Sequence, residues 1–319
     1  MPLSLPTFDE LKKHDPPFNA WKDYPNEEIG RLNLITPESI KRGRDAIKHG
    51  IAVNLNLPLT TFPSLNPAVR PMVEHEVVFR GHCLDDRVSF NTQCSTQWDG
   101  FNHFPYKNYP KEGEYTYYGG QSTEVARDKS IKKYGIQNYA EHPITGRAHL
   151  LDVPRHLAAT GQPALTPLQR CGITLDMLKD TAKAQGCEFA EGDILIVRTG
   201  LTEAMLSLGE QEYKDTLAAA RGWVGVEANE DVWRWHWESG FAAVATDTFG
   251  YEVYPFVPGQ LTCHEVFLAG WGLPIGELFD LRKLAKVCEE KKQWTFFFSS
   301  MPLNLDGGIA SPPNAQAIL

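Results

Sequence analysis

The chain has 319 residues, 42% hydrophobic and 22% charged, with a formal net charge of −9. That is enough apolar material for a sizeable core, at a length near the upper limit of a single domain. The acidic balance argues against a nucleic-acid surface, which needs a basic stripe, and no apolar run is long enough to span a bilayer.

Met1–Pro6 lacks the basic and apolar regions of a signal peptide. The six cysteines, Cys83, Cys94, Cys171, Cys187, Cys263 and Cys288, form no C-x-x-C pair. They read as free thiols in a reducing compartment, and the expected location is cytoplasmic. Neither an internal repeat nor a low-complexity linker interrupts the chain. One domain over residues 1–319 is expected, with an N-terminal arm to about residue 35.

In chain order, Thr36-Pro37-Glu38-Ser39 opens a helix running to about Lys48, with Thr36 as cap and proline at the first helical position. Ile51–Leu57 alternates as a strand. A Pro-rich connection over residues 57–71 follows. Glu74–Arg80 reads as a strand, and Asp86–Asn91 leads into the stretch that follows. The next run, Asn91–Pro105, packs an acid, a histidine, carboxamides and aromatics into one stretch that suits neither a helix nor a long strand. Tyr106–Tyr118 is a polar, aromatic insertion, either a surface loop or a wall over a ligand.

His149–Val153 is a strand, and Thr174 caps a further helix. Ile194–Gly200 is a near-continuous apolar strand of the sort buried in mid-sheet, ending on Arg198 as a candidate for site electrostatics. Asn229–Ser239 is helical, with His236 expected to pack or cap. Phe241–Asp247 is a second buried strand whose terminal Asp247 is a candidate to point into a site. Thr295–Ser300 is a closing strand, and Asp306–Asn314 a terminal turn and tail.

The stretch Gln93-Cys94-Ser95-Thr96-Gln97-Trp98-Asp99-Gly100-Phe101-Asn102-His103 resembles the H-x-G-T-H-x-D-x-P-x-H signature of the cyclase family, which includes bacterial kynurenine formamidase and related metal-dependent amide and lactone hydrolases. Thr96, Asp99 and His103 match the signature. Ser95 replaces its glycine, Phe101 its proline, and Gln93 and Gln97 its first two histidines. His264 and Glu277, the latter in an I-x-E-x-L context, resemble the family's later metal ligands. The resemblance runs from about Glu28 to about Asn314.

The resemblance implies an α/β (mixed α+β) fold of β/β/α type, a barrel-like mixed sheet flanked by helices, in a homo-oligomer of two or four chains. It implies His103 as general acid/base, assisted by Asp99 and Gln97, because imidazole titrates near working pH. It implies Asp99, His264 and Glu277 as ligands of a divalent metal, manganese or zinc. Carboxamides in place of two imidazoles weaken a zinc site and suit manganese or magnesium better, so a site without metal stays open as the alternative. Trp98, Phe101, Phe104 and Trp21 are the candidate substrate-binding aromatics. The function so implied is hydrolysis of a small amide, lactone or related carbonyl compound. Two rivals stand beside it: a metal-independent cyclase or dehydratase of secondary metabolism, and a binding protein that has lost catalysis.

Overall fold

The computed structural model describes residues 3–62 and 70–319; residues 63–69 of the Pro-rich connection lie outside them. The organising element is a nine-stranded sheet, whose strands are numbered here in chain order: β1 Ala52–Asn54, β2 Gln97–Asp99, β3 Ile144–Asp152, β4 Ile194–Arg198, β5 Ala243–Thr246, β6 Ile275–Glu277, β7 Thr295–Pro302, β8 Ala310–Ser311 and β9 Pro313–Ile318. They lie in the order β1-β9-β7-β3-β4-β5-β6-β2-β8. β3, β4, β5 and β6 run parallel, and every other neighbouring pair is antiparallel. The ends do not meet, so the sheet curls into an open half-barrel flanked by helices, the architecture expected.

Alternation along the parallel strands divides the core. Leu195 and Val197 of β4 face a cluster with Val244, Ile275 and Trp271. Ile194 and Ile196 face the other way, into a cluster with Ala148, Trp98 and Phe298. β4 is therefore covered on both sides, as its uninterrupted apolar run requires.

The local signals for helices hold. Thr36 and Ser39 form a reciprocal capping box at the start of the helix Pro37–Asp45, which ends before Lys48. Thr174 caps Leu175–Gln185, closed by a left-handed Gly186. Glu230–Glu238 is helical, and its His236 packs: Nδ1 lies 2.7 Å from the Val232 carbonyl and Nε2 2.8 Å from the Tyr251 hydroxyl.

Two expectations need correction. The first strand stops at Asn54 rather than Leu57; the Asn54 side-chain amide donates to the Asn56 carbonyl and bends the chain away. The C-terminal segment is not a tail. Ala310–Ser311 and Pro313–Ile318 are sheet strands, and β9 lies between β1 and β7. Pro313, Ala315 and Ala317 point inward while Asn314 and Gln316 face water, a two-residue period that is present in the sequence. Among the described residues, no helix is long and apolar enough to cross a membrane.

Candidate active site

The site forms where β2 meets β6 at one side of the sheet. Their register sets Gln97 opposite Glu277 and Asp99 opposite Ile275. Because side chains alternate, Gln97 and Asp99 project to one face and Trp98 to the other. Trp98 is fully buried, edge-on to Phe279 at 5.3 Å, and its Nε1 donates to Ser300 Oγ at 2.9 Å. It is a core residue, which corrects its expected place against the substrate.

His264 enters from a different element. It directly precedes a π-helical turn, Glu265–Trp271, that ends on left-handed Gly272. Such turns are rare and recur at functional sites. Glu265 holds this entrance in place: its carboxylate accepts from Thr262 N at 2.9 Å and from Lys107 N at 3.0 Å, tying the π-helical turn to the short hairpin formed by Tyr106–Lys107 and Tyr115–Thr116. The insertion 106–118 is thus anchored at its base rather than free.

Asp99, His264 and Glu277 converge below the surface. Asp99 Oδ1 accepts from Gln93 Nε2 at 2.5 Å. Among the described residues Asp99 Oδ2 has no hydrogen-bond partner; it stands 3.6 Å from His264 Nε2 and 3.8 Å from His103 Nε2. His264 Nε2 is 3.1 Å from Glu277 Oε1, and its Nδ1 donates to Glu252 Oε2 at 2.7 Å. Gln97 Nε2 donates to Glu277 Oε2 at 2.5 Å and to Gln93 Oε1 at 2.9 Å. Asp99 and Glu252 are no more than 1% exposed, Glu277 3% and His264 5%.

The electrostatics follow from this crowding. Burial drives Glu277 up, the Asp99 charge adds to it, and its carboxyl reaches about 7. Burial also opposes ionisation of Asp99, but His103, His264 and the Gln93 amide outweigh it and hold that carboxyl below its ordinary value. Burial works against a charged His264; Glu252, Asp99 and Glu277 reverse the sign and raise it well above an ordinary imidazole. His103 goes the other way. Burial lowers it, Asp99 pulls it back only in part, and the charges of His264 and Arg70 lower it further. It is a neutral imidazole at pH 7.

The ligating atoms of Asp99, His264 and Glu277 all lie within 4.8 Å of one another. Their chemistry fits a divalent cation. A buried carboxylate oxygen that accepts no hydrogen bond has room for a cation, and among the described residues Asp99 Oδ2 is such an atom. His264 presents Nε2 while a carboxylate fixes its Nδ1–H, the arrangement that orients metal-binding histidines.

Above the cluster lies a cavity of about 410 Å³. His103, Phe104, His264 and Glu277 are among the residues lining it, and Trp223 and Phe249 are among its apolar walls. Phe104 lies 4.9 Å from the His264 ring. Of the four expected substrate-binding aromatics it alone lines this cavity. Phe101 is buried against Tyr118 and Tyr139. Trp21 donates from Nε1 to the Ala269 carbonyl and so braces the π-helical turn from outside. Both correct the sequence reading, because a core that must bury this many rings leaves few for a ligand. Arg198 and Asp247 also take structural roles. Arg198 pairs with Asp152 at 2.7 Å and with Glu203, and Asp247 accepts from the backbone N–H groups of Thr199 and Gly200.

The sequence reading missed Glu252, Trp223 and Phe249. Glu252 follows Phe249-Gly250-Tyr251, and an acid inside an aromatic run was the one signal available for it.

The Cyclase family model matches residues 14–253, well over half the chain. A crystal structure described as a novel cyclase aligns at 27% identity over 95% of this chain and 100% of its own, with a TM-score of 0.81. Isatin hydrolase A from Labrenzia aggregata aligns at 15% identity over 86% of this chain and 94% of its own, TM-score 0.57. A structure described as a predicted metal-dependent hydrolase from Bacillus stearothermophilus aligns at 16% identity over 84% and 97%, TM-score 0.50. At such identities the last two show a shared fold alone. No curated protein sequence matches the chain. The family match over residues 14–253, in a fold that draws Asp99, His103, His264 and Glu277 together, places this chain in the Cyclase family of enzymes.

Proposed function

We propose that the protein is a metal-assisted hydrolase of a small, flat amide or lactone. The observation that carries this reading is the buried Asp99 Oδ2, without a hydrogen bond among the described residues and set between His103 and His264, two imidazoles that line an apolar cavity. Asp99, His264 Nε2 and Glu277 would hold a divalent cation, which when bound supplies Lewis-acid polarisation of the scissile carbonyl. With one imidazole and two carboxylates, the set suits manganese better than a histidine-rich zinc centre would.

The remaining work falls to the chain itself. His103, neutral at pH 7, takes a proton at Nε2 from the attacking water and returns it to the leaving nitrogen or oxygen. Asp99 Oδ2, 3.8 Å away, stabilises the imidazolium formed in between. Glu252 keeps His264 turned with Nε2 toward the cavity. Phe104, Trp223 and Phe249 cover the substrate and exclude bulk water. The isatin hydrolases share this fold, which makes isatin a rational first substrate to offer.

A second reading, proton shuttling by His103 in a cyclisation or elimination without metal, draws support from His103 lining the cavity while standing outside the group of three cation donors. One experiment separates them. Manganese-reconstituted and chelator-stripped protein are offered isatin and simple aryl lactones, and ring opening is followed. Turnover by the reconstituted form, lost on stripping and restored by metal, supports hydrolysis with metal. Equal turnover in both forms sinks it in favour of His103 alone.

A further inference from the structure

The two glutamines at the start of the signature-like stretch have a definite job. Gln97 Nε2 faces only oxygens, Glu277 Oε2 at 2.5 Å and Gln93 Oε1 at 2.9 Å. Gln93 Nε2 faces Asp99 Oδ1 at 2.5 Å. The Asp99 carboxylate oxygen accepts, so the Gln93 nitrogen points at it; Gln93 Oε1 is then left facing Gln97, whose nitrogen donates both to it and to Glu277 Oε2. The result is a one-way chain of donation, from Gln97 to both Glu277 and Gln93, and from Gln93 to Asp99. Each amide ties down one oxygen of one carboxylate. The other oxygen of each carboxylate, Asp99 Oδ2 and Glu277 Oε1, is turned toward His264 Nε2, at 3.6 and 3.1 Å.

We propose that Gln93 and Gln97 are positioning residues that clamp the two carboxylates, so that Asp99, His264 and Glu277 form a single-cation site rich in oxygen. This rests on the reading of those three residues as cation donors and adds what sets their geometry and selectivity. Gln93 and Gln97 do not stand in for imidazole ligands. Their NH₂ groups hold Asp99 and Glu277 apart from mutual repulsion and present one oxygen of each to the ion. Gln93 and Gln97 are themselves 7% and 1% exposed, so water does not compete for these bonds. One consequence is stoichiometry: among the described residues Asp99, His264 and Glu277 make one group of donors, and the other nearby imidazole, His103, stands 3.8 Å from the same Asp99 oxygen and brings no second carboxylate with it. The other is selectivity. A site with one imidazole has less advantage for zinc than one with three.

The test uses metal alone on the full chain. Wild type, Gln97→Leu, Gln93→Leu and the double variant Gln93→His/Gln97→His are stripped and titrated with manganese and with cobalt(II), whose visible spectrum reports the ligand set. Wild type is expected to take up one equivalent. Each leucine variant is expected to lose about 10- to 100-fold in affinity, the usual effect of removing a group that orients a ligand, with the cobalt band positions unchanged. The double histidine variant is expected to change the cobalt spectrum and to gain more for zinc than for manganese. Unchanged affinity in both leucine variants overturns the clamp. So does a changed cobalt spectrum in either of them, which would make the amides ligands. Uptake of two equivalents, or of none, by wild type overturns the single-cation site. Circular dichroism of the stripped variants confirms that each is folded. The readout is independent of turnover: one clamped cation in a protein that opens no amide or lactone leaves this inference standing and sinks the hydrolase reading.

Discussion

Two buried acids in this molecule share a histidine neighbour and a depressed carboxyl, and they serve different ends. Asp193 accepts from the Arg147 guanidinium at 2.7 Å, from His149 Nε2 at 3.0 Å and from Ala190 N at 2.8 Å, and His149 Nδ1 is in turn bonded to Thr295. Both of its oxygens accept hydrogen bonds from the protein. Asp99 is just as buried, yet among the described residues one of its oxygens accepts no hydrogen bond. The Asp193 cluster is a finished structural joint between β3 and the turn before β4. The Asp99 cluster leaves a carboxylate oxygen turned between two imidazoles without a hydrogen bond. Asp–His proximity alone therefore says little; what marks a reactive site is the acceptor the fold leaves unsatisfied.

The contrast can be broken in several places. Replacing His103 with alanine is expected to cut turnover by about 10²- to 10⁴-fold, while metal affinity and melting temperature stay near wild type. A variant that keeps wild-type turnover removes His103 from the chemistry. Replacing Asp193 with alanine should do the reverse. It leaves Arg147 and His149 without their acceptor, and a loss of about 3–5 kcal/mol in stability is expected, read as a lower urea midpoint with metal affinity unaltered. An Asp193 variant that loses metal while remaining folded would dissolve the distinction between the clusters.

His236 sharpens the same point in the core. Burial is the main cause that holds it down, to about 4. Its folded value lies below the ordinary 6.5, so the unfolded chain takes up the proton first. Its contribution is complete above about pH 6.5 and is lost as pH falls toward about 4, on the order of 3 kcal/mol in all. A His236→Gln variant should show a flatter stability profile across that window; an unchanged slope would assign the acid sensitivity elsewhere.

The smallest effect concerns Trp98. Trp98→Phe removes the bond to Ser300 and is expected to cost about 1 kcal/mol of stability without changing KM. Phe104→Leu should raise KM with little loss of stability. If the two effects are exchanged, the assignment of faces along β2 is wrong.

Much of the framework was legible from sequence because it depends on local rules. The capping residues Thr36 and Thr174 start helices where expected, and the apolar run Ile194–Val197 lies in mid-sheet. Asp99, His103, His264 and Glu277 were legible through their likeness to a family pattern, and the fold brings them together. Trp98 was misread because the stretch around it reads as a loop. Once Gln97–Asp99 is a strand, alternation sends Trp98 into the core. Glu252 was illegible for a different reason. Its bond to His264 spans twelve residues and belongs to no spacing rule; only the packing of the loop after β5 against the π-helical turn creates it. The C-terminal strands were hidden by small residues, since alanine alternating with amides gives a weak hydrophobic signal even where the period is right.

The central claim is that Asp99, His264 and Glu277 hold a cation. It is tested most directly by measuring metal content in protein purified without chelator or metal-affinity tag, then offered manganese or zinc, for wild type and Asp99→Asn side by side. One tightly held equivalent in wild type, lost in a folded Asp99→Asn variant, is the predicted result. A wild type that retains no metal when offered it, or a variant that retains as much as wild type, would contradict the account.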